Sequence, residues 1–372
     1  MSFELIEANG GHEKVVFCHN KEVGLKAIIA IHNTNLGPAL GGTRMWPYKN
    51  DQEALVDVLR LSAGMSYKAS AAGLNLGGGK AVIIGDPKKD KSEGLFRAFG
   101  TFVNSLGGNY ITAEDVGTTV KDMEYVFCET PYVTGIPEAL GGSGDPSPYT
   151  AYGVLMSIKA SAKTKFGKDS LEGLKIAVQG LGNVGSNLVK YLVEEKAQVI
   201  VADIDAAKVA AVCNKYGVEN MDPDEIITSK CDILAPCALG AVINDDTIDR
   251  LQCQVVSGGA NNVLARAEHG ELLEKRSILY APDFVANAGG LMNEYVELEG
   301  YSKDRAFEKV EAVYENMMNV FNMAQKEGIS TAKAALKFAE KRIETIGALH
   351  RTHQARNGRP FSTLKEVLAR KG

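Results

Sequence analysis

The sequence predicts an α/β fold with two domains, and three observations support this prediction. The chain has 372 residues, which is enough for two domains of ordinary size. Apolar, strand-like runs alternate with amphipathic helical stretches over residues 15–134. Further along, a strand, a glycine-rich loop, a helix and a second strand follow one another, which is typical of a doubly wound nucleotide-binding domain.

The composition excludes several classes of protein. Apolar residues make up 45% and charged residues 23%, as in soluble globular chains, and the net charge of -5 gives no reason to expect nucleic-acid or membrane binding. No apolar run approaches the ~20 residues that span a bilayer, and the N-terminus lacks a signal-peptide pattern. The six cysteines form no C-x-x-C pair, which favours reduced thiols in the cytoplasm. His350 and His353 lie close in sequence, but no metal site is expected in that polar tail.

The first domain is expected to extend over residues 1–140. Strands are predicted at residues 26–31, 81–84, 110–112 and 132–134. One helix should begin near Asp51 and another near Ser92, since both residue types are good helix N-caps. The buried faces should consist of Leu55, Val58, Leu59 and Ser62 in the first helix and of Leu95, Phe96, Phe99, Phe102 and Val103 in the second.

Three consecutive glycines, residues 77–79, lie between Lys68 and Lys80. A tight turn at these glycines would let a ligand approach the main chain closely, and the two lysines would supply positive charge. The segment therefore predicts a pocket for a small anion. Ammonium groups that are held close together and partly desolvated lose a proton more readily, so one lysine could act as acid and base. The alternative is an ordinary turn before a strand, with both lysines solvated.

A cluster of Gly, Pro and Ser at residues 141–148 cannot continue a helix or a central strand, so we place the domain junction there. The second domain is predicted to extend over residues 141–329. Helices within residues 330–372 should return to the first domain, and the basic residues at their end are expected to be solvated or to contact another subunit.

The second domain contains the most specific cofactor pattern. A strand predicted at residues 175–179 leads into Gly180-Leu-Gly182-Asn-Val-Gly185. A helix predicted at residues 186–194 follows, and then a strand at residues 198–202 that ends at Asp203. Gly180 would make the tight turn, Gly182 would admit a pyrophosphate, and Gly185 would let the helix pack on the strand. Asp203 would bind the ribose hydroxyls and repel a 2'-phosphate, so NAD is favoured over NADP. A Rossmann-like domain that no longer binds a nucleotide is the alternative.

Three more loops each follow a predicted strand, at residues 236–240, 258–262 and 287–290. In an open α/β sheet, the loops after the strands line the ligand crevice. Asparagine side chains in these loops are candidates for orienting the nicotinamide and the substrate amine, although asparagine also caps turns locally.

Long motifs occur in a fixed order along the chain, at residues 37–45 (GPALGGTRM), 68–80, 113–117 (AEDVG), 180–185 and 287–290. With these motifs the chain resembles the Glu/Leu/Phe/Val amino acid dehydrogenases, above all the leucine-type members. The resemblance implies NAD-dependent oxidative deamination of an L-2-amino acid to a 2-oxo acid, ammonia and NADH. It also implies two domains separated by a hinged cleft, and a homo-oligomer, either an octamer or a dimer.

The same resemblance implies roles for individual residues. Lys68 would hold the substrate carboxylate, Lys80 would act through water as the acid and base, and Asp115 would relay protons to and from the substrate nitrogen. The reacting centre would be lined by Gly41, Met45, Thr134, Thr150 and Asn262. Further contacts to NAD are expected from Asn183, Val184, Cys237, Ala238, Asn261 and Asn287.

The side-chain pocket of leucine-type members includes the positions of Leu40, Ala113, Leu291 and Glu294. Members that act on glutamate carry a lysine at the place of Leu40, so an acidic substrate is disfavoured. Glu294 departs from the family pattern, because a small apolar residue is usual at its position. If its carboxylate faces the pocket, a polar or cationic substrate becomes plausible, and if it points outward on the helix, the expected substrate does not change. A rotation of the helix by one residue decides between the two orientations, and we expect the outward one.

A branched-chain amino acid, leucine before valine, is therefore the leading expectation for the substrate. One alternative is the same chemistry on an aromatic or polar amino acid, such as phenylalanine or tryptophan. Another is a non-catalytic NAD-sensing protein on the same fold, but the presence of Lys68, Lys80 and Asp115 together argues against it.

Overall fold

The computed structural model describes residues 2–238 and 240–352, which form two compact units. The first unit comprises residues 2–145, 294–305 and 339–352. The second unit comprises residues 146–238, 240–293 and 306–338. His353 and the basic tail beyond it lie outside the described residues.

The division into units differs from the predicted one in three segments. Residues 141–145 cluster with the first unit, although the sequence assigns them to the second domain. Residues 294–305 cluster with the first unit, although the sequence assigns them to the second domain. Residues 330–338 cluster with the second unit, although the sequence assigns them to the first. The boundaries at residues 293/294, 305/306 and 338/339 fall inside helices, and a periodic helical pattern does not record which core the helix packs on.

The first unit contains a mixed six-stranded sheet. Its strands are β1 (Lys14–Asn20), β2 (Leu25–Asn33), β3 (Ala39–Leu40), β4 (Thr43–Trp46), β5 (Gly77–Ile84) and β6 (Tyr110–Ile111). Their order is β1-β2-β5-β3-β6, and β4 pairs with β5 beyond β3. The pairs β1/β2 and β2/β5 are antiparallel, whereas β3 and β4 run parallel to β5. The predicted strand at 132–134 is reduced to one bridge, between Thr112 and Val133.

Helices cover both faces of this sheet. They are α1 (Ser2–Ala8), α2 (Asp51–Ala71), α3 (Glu93–Ser105) and α4 (Val120–Phe127). Leu55, Val58 and Leu59 of α2 pack against Ile28 and Val82 on one face. The apolar side of α3 forms the core on the other face, together with alternate residues of β2. Successive residues of a strand point to opposite faces, which explains how one strand serves both cores.

The first residues of α2 and α3 test the predicted helix caps. Ser92 caps α3 as predicted, because its hydroxyl accepts a hydrogen bond from the amide of Leu95 at 3.2 Å. The cap of α2 is Asn50 rather than Asp51, since Oδ1 of Asn50 accepts from the amide of Glu53 at 2.8 Å. Both residue types cap well, so only the backbone conformation distinguishes them.

The triple glycine forms the start of β5 and not a turn, so the predicted tight turn is wrong. A Cβ at Gly77 would lie 2.0 Å from the Asn33 carbonyl oxygen, and one at Gly78 would lie 2.1 Å from the Ser66 amide nitrogen. These glycines therefore let α2 and the neighbouring strands approach β5 more closely than any side chain allows. Close approach brings the end of α2, which carries Lys68, next to the strand that carries Lys80.

The second unit is built on a parallel six-stranded sheet. Its strands are β7 (Lys175–Gln179), β8 (Gln198–Ala202), β9 (Glu219–Asn220), β10 (Ile233–Pro236), β11 (Val255–Val256) and β12 (Leu279–Tyr280). Helices that begin in this unit are α5 (Ser147–Phe166), α6 (Asn183–Glu194), α7 (Ala206–Tyr216), α8 (Glu268–Lys275), α9 (Asp283–Ala286) and α10 (Gly289–Leu298). Two long helices follow, α11 (Lys303–Glu327) and α12 (Thr331–Thr352).

The strand order of the second sheet is β12-β11-β10-β7-β8-β9. The order reverses between β7 and β10, which is the topological switch point where doubly wound sheets bind ligands. The loops after these two strands therefore position the site in this unit. Among the helices of the described chain, none combines the length and hydropathy that a membrane span requires.

Candidate active site

An ion pair between Lys80 and Asp115 forms the centre of the first unit's site. Nζ of Lys80 lies 3.0 Å from Oδ1 of Asp115, and Nε of Arg44 lies 3.0 Å from Oδ2 of the same carboxylate. Burial alone would raise the pKa of Asp115, but the charges of Lys80 and Arg44 outweigh burial and hold this pKa below its usual range. Asp115 is therefore ionised at neutral pH.

Backbone contacts fix the loop that carries Asp115. The Thr118 hydroxyl accepts from the Asp115 amide at 2.9 Å and donates to the Thr43 carbonyl at 2.9 Å. Two glycines permit this close approach of β4 and the loop. A Cβ at Gly42 would meet the Glu114 carbonyl oxygen at 2.2 Å, and Gly117 adopts a φ of +84° next to Met45. The carboxylate is thus positioned by main chain that few other residues could form.

Glu294 interacts electrostatically with both lysines. Its side chain is buried, with a relative exposure of 8%, and burial raises the pKa of its carboxyl to about 8. The negative charges of Glu297 and Glu114 add to this rise, while Lys68 and Lys80 oppose it. Lys68, half-buried near the end of α2, and Lys80 therefore both lie within electrostatic range of Glu294. The outward orientation expected from the sequence is wrong.

Other predicted substrate positions of the first unit are also buried. Leu40, Met45, Ala113 and Thr134 are each no more than 1% exposed. Gly41 separates β3 from β4 together with Gly42, and its carbonyl accepts from the Tyr110 hydroxyl at 2.6 Å. A Cβ at Gly41 would lie 1.8 Å from the Gly79 carbonyl oxygen, so the chain must break its strand here at a glycine. These positions are brought together by β3, β4, β5 and the loop after β6.

The glycine loop of the second unit follows β7, as predicted. Gly180 has a φ of +96°, and a Cβ at Gly185 would lie 1.9 Å from the Gly180 carbonyl oxygen. At Gly182 a Cβ would meet nothing within 4 Å, so the space beside this residue is open. Gly182 precedes α6, and the first amides of a helix have no partner within the helix. The loop therefore has the geometry of an anion-binding turn.

Asp203 follows β8 and lies beside the glycine loop. Its Oδ2 accepts from the Leu181 amide at 2.6 Å, and its Oδ1 accepts from the Asp205 amide at 2.8 Å. Its slight burial raises the pKa of the carboxyl, but these two amide hydrogen bonds outweigh it and keep the pKa below its usual range. An ionised carboxylate with remaining lone pairs can accept further hydrogen bonds, for example from hydroxyl groups.

The loops after the other strands lie near the same end of the sheet. Ala238, after β10, is so close to Gly180 that a Cβ on Gly180 would lie 2.6 Å from the Ala238 methyl group. The amide of Cys237 donates to the Gln179 carbonyl at 2.7 Å, and burial raises the pKa of the Cys237 thiol to about 11. Thr150 is held by a hydrogen bond from its hydroxyl to the Pro146 carbonyl at 3.1 Å.

The asparagines of these loops have distinct environments. Nδ2 of Asn287 donates to Oδ1 of Asn261 at 2.7 Å, while Oδ1 of Asn287 is buried without a partner among the described residues. Asn262 has a φ of +53°, which asparagine tolerates better than most residues. The unpaired acceptor of Asn287 fits an amide donor such as the carboxamide of a nicotinamide. Leu291, also predicted for the substrate pocket, lies at the start of α10 and is buried.

Sequence reasoning missed three charged residues of the first unit. Arg44 shares Asp115 with Lys80, and Glu297 accepts hydrogen bonds from two backbone amides. Burial, with the charges of Asp145 and Asp115, raises the pKa of Glu114 to about 7. Glu114 and Arg44 lie inside the sequence motifs, so their positions were available, whereas Glu297 becomes visible only through its tertiary contacts.

A parallel sheet in this strand order, with a glycine loop after β7 and a carboxylate after the adjacent strand β8, defines a Rossmann-type nucleotide-binding domain. The family follows from comparison with known proteins. The family model "Glu/Leu/Phe/Val dehydrogenase, dimerisation domain" matches residues 12–132, and the model "Glutamate/Leucine/Phenylalanine/Valine dehydrogenase" matches residues 141–219 and 201–348. The chain therefore belongs to the Glu/Leu/Phe/Val dehydrogenase family, whose members are NAD-dependent amino acid dehydrogenases.

Individual relatives agree with this assignment. The leucine dehydrogenase of Geobacillus stearothermophilus is 56% identical over 335 residues, covering 90% of this chain and 91% of that protein. The phenylalanine dehydrogenase of Thermoactinomyces intermedius is 47% identical, covering 94% of this chain and 96% of that protein. The crystal structure of L-tryptophan dehydrogenase from Nostoc punctiforme has a TM-score of 0.82 at 44% identity, covering 93% of this chain and 99% of that one.

Proposed function

We propose that the protein catalyses NAD-dependent oxidative deamination of a branched-chain L-amino acid, giving the 2-oxo acid, ammonia and NADH. The observation that carries the proposal is the Lys80–Asp115 ion pair, with a buried lysine, in a chain that is 56% identical to a leucine dehydrogenase. Leu40, which is buried and apolar, offers no partner to an acidic side chain.

The residues of the first unit would divide the chemistry among themselves. The ammonium of Lys68 binds the substrate carboxylate by a charge-assisted hydrogen bond. Oxidation converts the amine-bearing carbon to an iminium. Lys80, after its ammonium group has released a proton to solvent, takes a proton from the water that adds to this carbon. Asp115, held ionised by its two cations, accepts hydrogen bonds from the substrate nitrogen and relays its protons until ammonia leaves. Gly41, Met45, Ala113 and Thr134 would form the surrounding wall.

NAD, when bound, supplies the acceptor for the hydride. In the second unit, the open space at Gly182 and the free amides of Asn183 and Val184 suit the pyrophosphate. Asp203 would accept hydrogen bonds from the adenosine ribose. Asn287 would orient the nicotinamide through its unpaired oxygen. Contributions are also proposed for Thr150, Cys237, Ala238 and Asn261, and for Asn262 and Leu291 toward the substrate.

Association and location are proposed as well. A homo-oligomer is supported by the matched family model, whose description names residues 12–132 as a dimerisation domain. A cytoplasmic location is supported by the six free cysteines, three of them buried, which suit a reducing compartment. Light scattering at micromolar concentration tests the proposed homo-oligomer, and a measured mass of one chain would show that this proposal is wrong.

An initial-rate screen tests the proposed activity. NAD reduction is measured with each of the twenty protein amino acids, and leucine, valine and isoleucine should give the highest kcat/KM. A preference for phenylalanine or tryptophan would replace the branched-chain proposal with the aromatic alternative. NAD binding without turnover of any amino acid would support a sensing role instead.

A further inference from the structure

The side chain of Glu294 is largely buried, yet its carboxyl group forms no hydrogen bond or ion pair within the described part of the chain, and its oxygens are not among the fully buried, unpaired atoms there. Buried carboxyl groups are normally paired, because an unpaired one loses its hydration without compensation. The carboxyl group of Glu294, which no group of the described chain pairs with, is therefore available to a ligand. The charged groups that act on it are Lys68 from α2, Lys80 from β5, Glu114 from the loop after β6, and Glu297 from its own helix.

The neighbouring Glu297 shows what a structural carboxylate looks like here. Its Oε2 accepts from the amides of Gly135 at 2.9 Å and Ser143 at 2.8 Å, and its side chain is completely buried. Glu297 thus holds the loop before the domain junction. Glu294 makes no comparable bond, so holding the backbone does not explain its presence.

We propose that Glu294 determines specificity by accepting a hydrogen bond or ion pair from the substrate side chain, which extends the enzyme to L-amino acids whose side chain ends in an ammonium or hydroxyl group. The proposal rests on the proposed amino acid dehydrogenase activity. An amino acid carries its carboxylate, amine and side chain on one carbon atom. A group within electrostatic range of both Lys68 and Lys80 is therefore also close to the side chain of a substrate bound there.

The protonation state of Glu294 explains how aliphatic substrates remain acceptable. Its pKa of about 8, raised by burial and by neighbouring carboxylates, leaves the group protonated and neutral at neutral pH. An aliphatic side chain then meets a neutral carboxyl group, which costs less than a carboxylate. A cationic side chain would instead displace the proton and form an ion pair. The preference between the two kinds of substrate should therefore change as Glu294 ionises.

Isosteric substrates test this inference. L-Ornithine and L-norleucine have side chains of the same length and differ in a terminal ammonium or methyl group; threonine and valine differ in a hydroxyl or methyl group. The kcat/KM ratio of ornithine to norleucine should fall by about ten- to a hundredfold in Glu294→Val, and by about tenfold in Glu294→Gln. The threonine to valine ratio should fall in Glu294→Val and change less in Glu294→Gln, which can still accept a hydrogen bond. Glu299→Gln, a carboxylate next to the same helix that pairs with Arg305, is the matched control.

The wild type provides a second measurement that does not depend on folding of the variants. Its ornithine to norleucine ratio should rise with pH, with a midpoint near pH 8 and a plateau about one pH unit higher, because only the ionised carboxylate attracts the ammonium group. A flat wild-type profile, or ratios that change less than about threefold in both Glu294 variants, overturns the inference. If the inference about Glu294 fails but the wild type still oxidises leucine in the same assay, the proposed dehydrogenase function stands. Absence of turnover with every amino acid overturns both.

Discussion

The sites of the two units are built by opposite means. In the first unit, charged side chains on different elements are held by each other, as Lys80 and Arg44 hold Asp115. In the second unit, the main chain forms most of the site, and side-chain charge enters mainly through Asp203 at its edge. The first site depends on which charges are present, whereas the second depends on where a Cβ is absent. Removal of a charge should therefore damage the first site, and addition of a methyl group should damage the second.

The largest effect is expected from Lys80→Ala. The change removes the proposed acid and base while Asp115 keeps its pairing with Arg44, so turnover should fall by ~10²–10⁴-fold with the fold retained. Rapid kinetics of NADH formation and circular dichroism measure the two quantities. Lys89→Ala, which removes an exposed lysine paired with Asp86, is the control and should keep full activity. Turnover near the wild-type rate in Lys80→Ala would move the acid and base elsewhere.

Two glycine variants test whether the site of the second unit depends on the absence of a Cβ. Gly185→Ala places a methyl group against the Gly180 carbonyl and should lower the free energy of unfolding by about 2–4 kcal/mol. In Gly182→Ala the new methyl group meets only open space, so the free energy of unfolding should change by about 1 kcal/mol at most. The same methyl group would occupy the space proposed for the pyrophosphate, so NAD binding should weaken by about ten- to a hundredfold. Urea unfolding and calorimetric NAD titration separate the two effects. Equal losses of stability in both variants would contradict this division of roles.

A smaller effect concerns the stability of the first unit as a function of pH. The pKa of Glu294 is raised from 4.5 to about 8 in the folded state, so its contribution to stability is present below about pH 4.5 and is lost as pH rises through about 8. Glu294→Gln removes this titration. Wild type and Glu294→Gln should therefore be equally stable near pH 4.5, and the variant should be more stable by ~1–3 kcal/mol near pH 9. Urea unfolding at both pH values, with Glu299→Gln as control, measures the difference in stability between wild type and Glu294→Gln. If this difference is the same at both pH values, Glu294 does not titrate in this range.

The smallest effect is expected at Asp203. Asp203→Asn keeps an oxygen for the backbone amides but removes the charge that would repel a 2'-phosphate. The ratio of kcat/KM with NAD to that with NADP should fall by about tenfold. Asp205→Asn preserves the cap of α7 and should leave this ratio unchanged. A constant ratio in Asp203→Asn would place the adenosine ribose away from this carboxylate.

Local sequence determined the cofactor half of the molecule almost completely. The strands β7 and β8 lie at the predicted residues, and α6 begins at Asn183, only three residues before its predicted start. Glycine spacing, apolar periodicity and the acid after the second strand are short-range features, so the local chain already contains them. The family assignment from the motifs is confirmed by the matched family models.

In the first unit, the tertiary structure decided the role of the triple glycine and the orientation of Glu294, which the local sequence does not specify. The triple glycine looked like a turn because glycine is common in turns, but its function here is to let α2 and neighbouring strands approach β5. The orientation of Glu294 depends on which core its helix packs on, and residues 294–305 cluster with the first unit. Contacts between residues distant in sequence leave no periodic trace in the chain. For that reason the sequence determined the elements and the cofactor loop, while only the folded structure decided which charges surround the substrate lysines.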